Sequence, residues 1–171
     1  MWPSDDASFP RFDEPVGMLT ACHDKVRRFA ALGLKLETHL AEHGADGQAA
    51  GAAEQILRYF DIAAPLHHAD EEEDLFPALR ALDDAQLHAA LSRIEAEHVA
   101  LAALWQAVRS WLLAVVAGQV LPAPNALSEF ARAYPAHAAD EEALLYPAAA
   151  RLAPEVLAQI GQRMQARRGA A

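Results

Sequence analysis

Two histidine–glutamate pairs give the first lead: His67 with Glu71 and His137 with Glu141. Four residues of α-helix advance about 40° around the axis and one turn along it, so each imidazole shares a face with its carboxylate. Imidazole nitrogen and carboxylate oxygen together suit zinc, iron or manganese. A single pair would carry little weight in Ala-rich helices. Here both pairs lie in matching frames, FDIAAPLHHADEEEDLFPAL from Phe60 to Leu79 and FARAYPAHAADEEALLYPAA from Phe130 to Ala149. Phe60, Pro65, His67, Asp70, Glu71, Glu72, Leu75 and Pro77 match Phe130, Pro135, His137, Asp140, Glu141, Glu142, Leu145 and Pro147. The pattern is that of a duplicated helical hairpin. A proline two residues before each histidine removes a backbone hydrogen bond and kinks the helix. The kink is either tolerated or serves to aim the imidazole inward.

The elements that must position these pairs follow from periodicity and punctuation. The stretch to Pro15, with Pro3 and Pro10, reads as an extended arm. Four helical segments follow, over about 16–43, 49–82, 85–117 and 126–150, and a short last helix covers 155–168. The turns fall at His43–Gly47, at Asp83-Asp84, which also offers an N-cap, and at 118–125. Short links between long helices predict an all-α, up-down-up-down antiparallel four-helix bundle with an N-terminal arm and a short C-terminal helix, forming a single domain over 1–171.

That topology brings residues on successive helices to one level when they are equidistant from the connecting turn. His23 and His67 are equidistant about position 45, Glu71 and His98 about 84.5, and His98 and His137 about 117.5, each in or at the edge of a turn. Four histidines and two glutamates therefore converge at one height in the bundle, where such folds build metal sites from facing helices. His39, His43, His68 and His88 read as surface or helix-end residues, His68 because it lies about 100° around the helix from His67. Asp70, Glu72, Asp140 and Glu142 read as solvated, with supporting roles to the ligands possible. Tyr134 reads as a core aromatic or, one turn before His137, as a residue facing the site; Trp105 and Trp111 read as core aromatics, and Cys22 as an inert buried thiol rather than a redox sensor.

Composition agrees with helices: 53% of residues are apolar, yet only 7% are aromatic, and Ala and Leu dominate, the best helix formers. A net charge of −10 argues against nucleic acid and an anionic membrane surface as partners. Cys22 is alone, so neither a disulfide framework nor a Cys-based zinc site can form. The acidic start lacks a signal-peptide pattern, and the longest apolar run, Trp111 to Gly118, is too short to cross a bilayer. A cytoplasmic protein without a membrane partner is expected.

The arrangement His23, His67-x-x-x-Glu71, His98, His137-x-x-x-Glu141 resembles the hemerythrin-like (HHE cation-binding) domain family. So do the endings Leu75-Phe76-Pro77 and Leu145-Tyr146-Pro147 and the opening Asp13-Glu14-Pro15 with Ala21-Cys22-His23-Asp24. The resemblance runs from Asp13 to about Ala150. It implies two iron ions with an oxo or hydroxo bridge, ligated by His23, His67, His98 and His137 and bridged by Glu71 and Glu141; other divalent metals are possible. The oxygen carriers of that family have a second helix-three histidine, whereas here Ile94 and Ala102 flank His98 by one turn. The pattern is closer to members with four histidines and two glutamates.

With two six-coordinate ions, those donors and one bridging oxygen leave about one open position per ion. An open position suits O2, NO or peroxide and marks a reactive site. The expected function is redox or stress chemistry, or iron handling. The alternative is an iron- or oxygen-responsive sensor module without turnover. A metal-free polar interior would be costly unless fully paired. A ferritin-like site would need a partner for Glu95-x-x-His98, and a zinc hydrolase the HExxH motif, which is absent.

Overall fold

Residues 11–169 are described by the structure, a computed structural model. Pro3 and Pro10, the core of the expected arm, lie outside them. Pro15 proves to be the first residue of α1 (Pro15–His43), because a proline loses nothing where the N–H would be unpaired anyway. The helix stops at Gly44, whose φ of 73° favours a residue without Cβ.

Asp46 caps α2 (Gly47–Arg58) by accepting from the Ala49 N–H at 2.8 Å. The helical path then continues unbroken through a π-helical turn (Tyr59–Ala63), α3 (Ala64–Asp70), a second π-turn (Glu71–Leu75) and α4 (Phe76–Arg80). These turns explain how the rod absorbs Pro65 and Pro77. Ahead of each proline the backbone widens, and the N–H of Ala64 or Phe76 reaches back five residues, to Tyr59 or Glu71. The kink expected before His67 is thus a register shift in a continuous rod.

Asp84 is the N-cap of α5 (Ala85–Val116), accepting from the Leu87 N–H at 3.0 Å, as the Asp83-Asp84 signal predicts. The fourth bundle helix, α6 (Ala126–Leu144), keeps Pro135 inside it. It ends earlier than the expected 150, in a 3₁₀ turn over Tyr146–Arg151 that contains Pro147. The last helix, α7 (Pro154–Gly169), begins at the proline expected to break the chain.

Helix α1 packs on α2 and α6, and α5 packs on α2 and α6, so the four rods close an antiparallel bundle. The fifth helix, α7, lies against α1, α3 and the second π-turn. Gly161 permits a close approach to the segment just before α1, since a Cβ would stand 1.8 Å from the Phe12 carbonyl oxygen. Helix α5 is also long and apolar enough to cross a membrane by length and composition, with mean hydropathy 1.7 in its most apolar window. The uninterrupted run Trp111–Gly118 understates this, because alanines and leucines surround a few polar residues. In the fold its buried face, from Leu87 through His98 to Val115, is part of the bundle interior.

The apolar core is divided in two. One cluster gathers Val26, Ala64, Leu101, Trp105, Phe130 and Tyr134; the other gathers Leu19, Leu75, Phe76, Ile94, Leu145 and Met164. Each wholly buried Phe or Leu contributes about 1.5–3 kcal/mol. Between the clusters lies a buried polar layer: His23 sits between Leu19 and Val26, His98 between Ile94 and Leu101, and His137 and Glu141 between Tyr134 and Leu145.

Candidate metal centre

The polar layer holds all six residues singled out by spacing. His23 comes from α1, His67 from α3, Glu71 from the second π-turn, His98 from α5, and His137 and Glu141 from α6. Each is at most 5% exposed, a level at which charged groups need partners.

Their donor atoms converge. Glu141 spans the layer: Oε1 lies 3.1 Å from His137 Nε2 and 3.3 Å from His98 Nε2, and Oε2 lies 3.1 Å from His23 Nε2. Glu71 Oε2 is 3.5 Å from His67 Nε2 and 3.6 Å from His98 Nε2. Its Oε1 accepts a hydrogen bond from the Tyr146 hydroxyl at 2.6 Å. His23 Nε2 and His67 Nε2 are 3.1 Å apart. Two groups of potential ligands result, His23–His67–Glu71–Glu141 and His68–His98–His137, each with donor atoms within 4.8 Å of one another.

Outer carboxylates aim the imidazoles. His23 Nδ1 meets Glu142 Oε1 at 2.8 Å, His98 Nδ1 meets Glu72 Oε1 at 2.6 Å, and His137 Nδ1 meets Glu97 Oε2 at 2.9 Å. A proton on each Nδ1 leaves the Nε2 lone pair facing inward, the arrangement typical of metal-bound histidine. Glu72 and Glu142 thus support the site, the role left open for them in the sequence. Glu97 went unremarked there, although it adjoins His98.

The charge balance points the same way. Burial pulls the His67 pKa down to about 3, which keeps that imidazole neutral. Burial, and then the charge of Glu141, push the Glu71 carboxyl well above the usual range. Burial also opposes ionisation of Glu141, but the adjacent imidazoles of His137, His23 and His98 prevail and hold its carboxyl well below the usual range. Even so, Glu71 Oε2, Glu141 Oε2 and His137 Nε2 have no hydrogen-bond partner. Several of these atoms are close to one another without the alignment of donor and acceptor. Lone pairs that crowd together unpaired in a dry interior suit a shared cation. The residues present therefore fit a metal ion.

Some expectations need correction. His68 is not a surface residue: it is partly buried, with its ring stacked on His98 at 4.0 Å and 15°. Asp70 is not solvated: it is fully buried and bound by Arg167 and Arg168 of α7. Tyr146, expected only as part of a motif ending, reaches the layer itself. Its alignment with buried Phe76 was the available signal. His39 pairs with Asp46 at the end of α1, His88 bonds the Leu82 carbonyl at the start of α5, and His43 is exposed; none joins the layer. Tyr134 packs with Phe60 and Phe130 as expected, and its hydroxyl also lies 3.2 Å from His68 Nε2. Burial raises the Cys22 thiol pKa, consistent with an inert thiol.

Residues 14–149 match the family described as Hemerythrin HHE cation binding domain. The chain is also similar to an uncharacterized protein of Haemophilus influenzae (strain ATCC 51907 / DSM 11121 / KW20 / Rd), 37% identical over 161 residues, covering 94% of this chain and 93% of the relative. With a buried His/Glu layer in a helical bundle and a family match over most of its length, the chain belongs to the hemerythrin HHE cation-binding domain family.

Proposed function

We propose that this chain holds two iron ions in the polar layer, one at each ligand group, and uses their open positions to bind O2, NO or peroxide in redox or stress chemistry or in iron handling. His23, His67, His98 and His137 supply the nitrogens, and Glu71 and Glu141 bridge. The observation that carries this reading is the span of Glu141, one oxygen toward His98 and His137 and the other toward His23. A carboxylate so shared suits a pair of cations.

Bound iron would supply redox and small-ligand binding chemistry. The protein's part is to aim and exclude. Glu72, Glu97 and Glu142 hold three imidazoles in the inward-facing tautomer. Tyr146 steadies Glu71. The two apolar clusters keep bulk water from above and below. A sensor reading also has support, because the unpaired polar atoms of the layer tie metal occupancy to fold stability.

An anaerobic titration with ferrous iron, followed by exposure to O2 and to NO, tests the proposal. Uptake of two equivalents with new near-ultraviolet and visible bands is expected. Saturation without any spectral response to either gas would contradict it.

A further inference from the structure

We infer that Asp70, gripped by two arginines of α7, is the positioning residue for the ligand pair His67 and Glu71, and that α7 thereby governs how fast an ion leaves the layer. The inference rests on the two-ion reading above and adds the element that holds one wall of the site in place.

The two ligand pairs are mounted differently. His137 and Glu141 lie on α6, a continuous helix packed along both α1 and α5. His67 lies on α3, which is 7 residues long and bounded at either end by a π-turn, Tyr59–Ala63 and Glu71–Leu75. Glu71 is the first residue of the second π-turn. A π-turn interrupts the regular ladder of backbone hydrogen bonds, and rods bend where that ladder is interrupted. Outside its own rod, α3 packs mainly on α7 and α1.

Helix α7 supplies the fastening. Asp70, the last residue of α3, is wholly buried, and each of its oxygens accepts from a different arginine: Oδ1 from Arg167, and Oδ2 from Arg168 at 2.6 Å. Arg167 also donates to Glu73 at 2.8 Å and to Asp74 at 2.9 Å, and Arg163 donates to Asp74 at 3.0 Å. Carboxylates on both sides of Glu71 are therefore tied to one helix. That helix is itself seated by Ile160 and Met164 in the apolar cluster of Leu19, Phe76 and Ile94. A buried carboxylate shared by two guanidinium groups holds its geometry tightly, because losing a partner leaves charge uncompensated in a dry interior. The second copy is not fastened in this way: Asp140, aligned with Asp70, meets Arg93 at the surface.

The consequence concerns ion exchange. When the grip of α7 loosens, the two π-turns let α3 swing outward with His67 and Glu71. His23, His98, His137 and Glu141 stay on α1, α5 and α6. An ion held by His23, His67, Glu71 and Glu141 then loses two of its four protein ligands. The ion of His98 and His137 keeps both imidazoles and Glu141.

The test is release of Co(II) from the loaded full-length protein under argon, chased with excess EDTA and followed by visible absorption. Wild type should bind two Co(II). Asp70→Asn removes the charge that both arginines grip and should release one Co(II) at least about tenfold faster, the scale on which supports behind metal ligands act; the other should leave at its wild-type rate. Arg168→Gln keeps Arg167 on Asp70 and should speed the same step by a smaller factor, which preserves the test if Asp70→Asn does not fold. Asp140→Asn, at the aligned position, should leave both rates unchanged. Leu112→Ala separates positioning from loss of stability: it opens the other apolar cluster about 21 Å along α5 from His98, and should lower the melting temperature without changing either rate. Wild-type release in the Asp70 and Arg168 variants would overturn the inference, as would equal acceleration of both ions or the same acceleration in Leu112→Ala. In each of those cases wild type still binds two Co(II), and only this inference fails. If wild type itself binds fewer than two, both readings fall.

Discussion

The two copies of the repeated strip share a frame but not an environment. His67 and Glu71 in the first copy and His137 and Glu141 in the second reach the same layer from opposite rods. Around them several neighbours differ. Asp70 is buried under Arg167 and Arg168, whereas its equivalent Asp140 is exposed and pairs with Arg93. Phe76 stacks over His98, whereas its equivalent Tyr146 carries a hydroxyl to Glu71. His68 stands where the second copy has Ala138, and Tyr134 where the first has Ala64.

Even the tautomer supports are uneven. Glu97 precedes His98 and holds His137 Nδ1; Cys22 precedes His23 in the same way, and His67 Nδ1 has no partner. The difference teaches that the shared residues define where a cation can sit. The residues that differ make its two halves inequivalent.

The largest expected effect comes from emptying both halves. Among the described residues, Glu71 Oε2, Glu141 Oε2 and His137 Nε2 face the layer without a hydrogen-bond partner. At ion concentrations a thousandfold above Kd, binding adds about 4 kcal/mol. Chelation should therefore lower the melting temperature by on the order of 10 °C in calorimetry.

Next is the anchor that only the first copy has. Arg167→Ala strips a cation from buried Asp70 and Asp74 and should cost about 3 kcal/mol in urea unfolding. Arg93→Ala, at the exposed equivalent, should cost less than about 1 kcal/mol. Equal costs would break the comparison. The aromatic pair sharpens it: Tyr146→Phe leaves buried Glu71 Oε1 without its hydroxyl donor and should cost about 1–3 kcal/mol, measured the same way. The smallest effect lies outside the layer. His39→Ala and His43→Ala should leave metal content unchanged by elemental analysis, and loss of metal in either would misplace the site.

Much of this was legible in the residues. Gly44 and Asp84 mark real helix ends, and equidistance from the turns brings the six donors to one level because the rods are antiparallel and unbroken. What escaped depends on tertiary contact. Asp70 looked solvated because α7 docks from a distant part of the chain. His68 looked exposed because the 100° rule considers only its own helix, and His98 covers its ring from α5. The π-turns before Pro65 and Pro77 escaped because helical periodicity takes a uniform register for granted.

The central claim is that the layer holds a pair of cations shared between the two copies. Elemental analysis of protein purified without chelators, beside the double variant His67→Ala/His137→Ala, tests it most directly. The account predicts about two irons per wild-type chain and loss of paired binding in the variant. Full stoichiometry in the variant, or a metal-free wild type that takes up no ferrous iron, would contradict it.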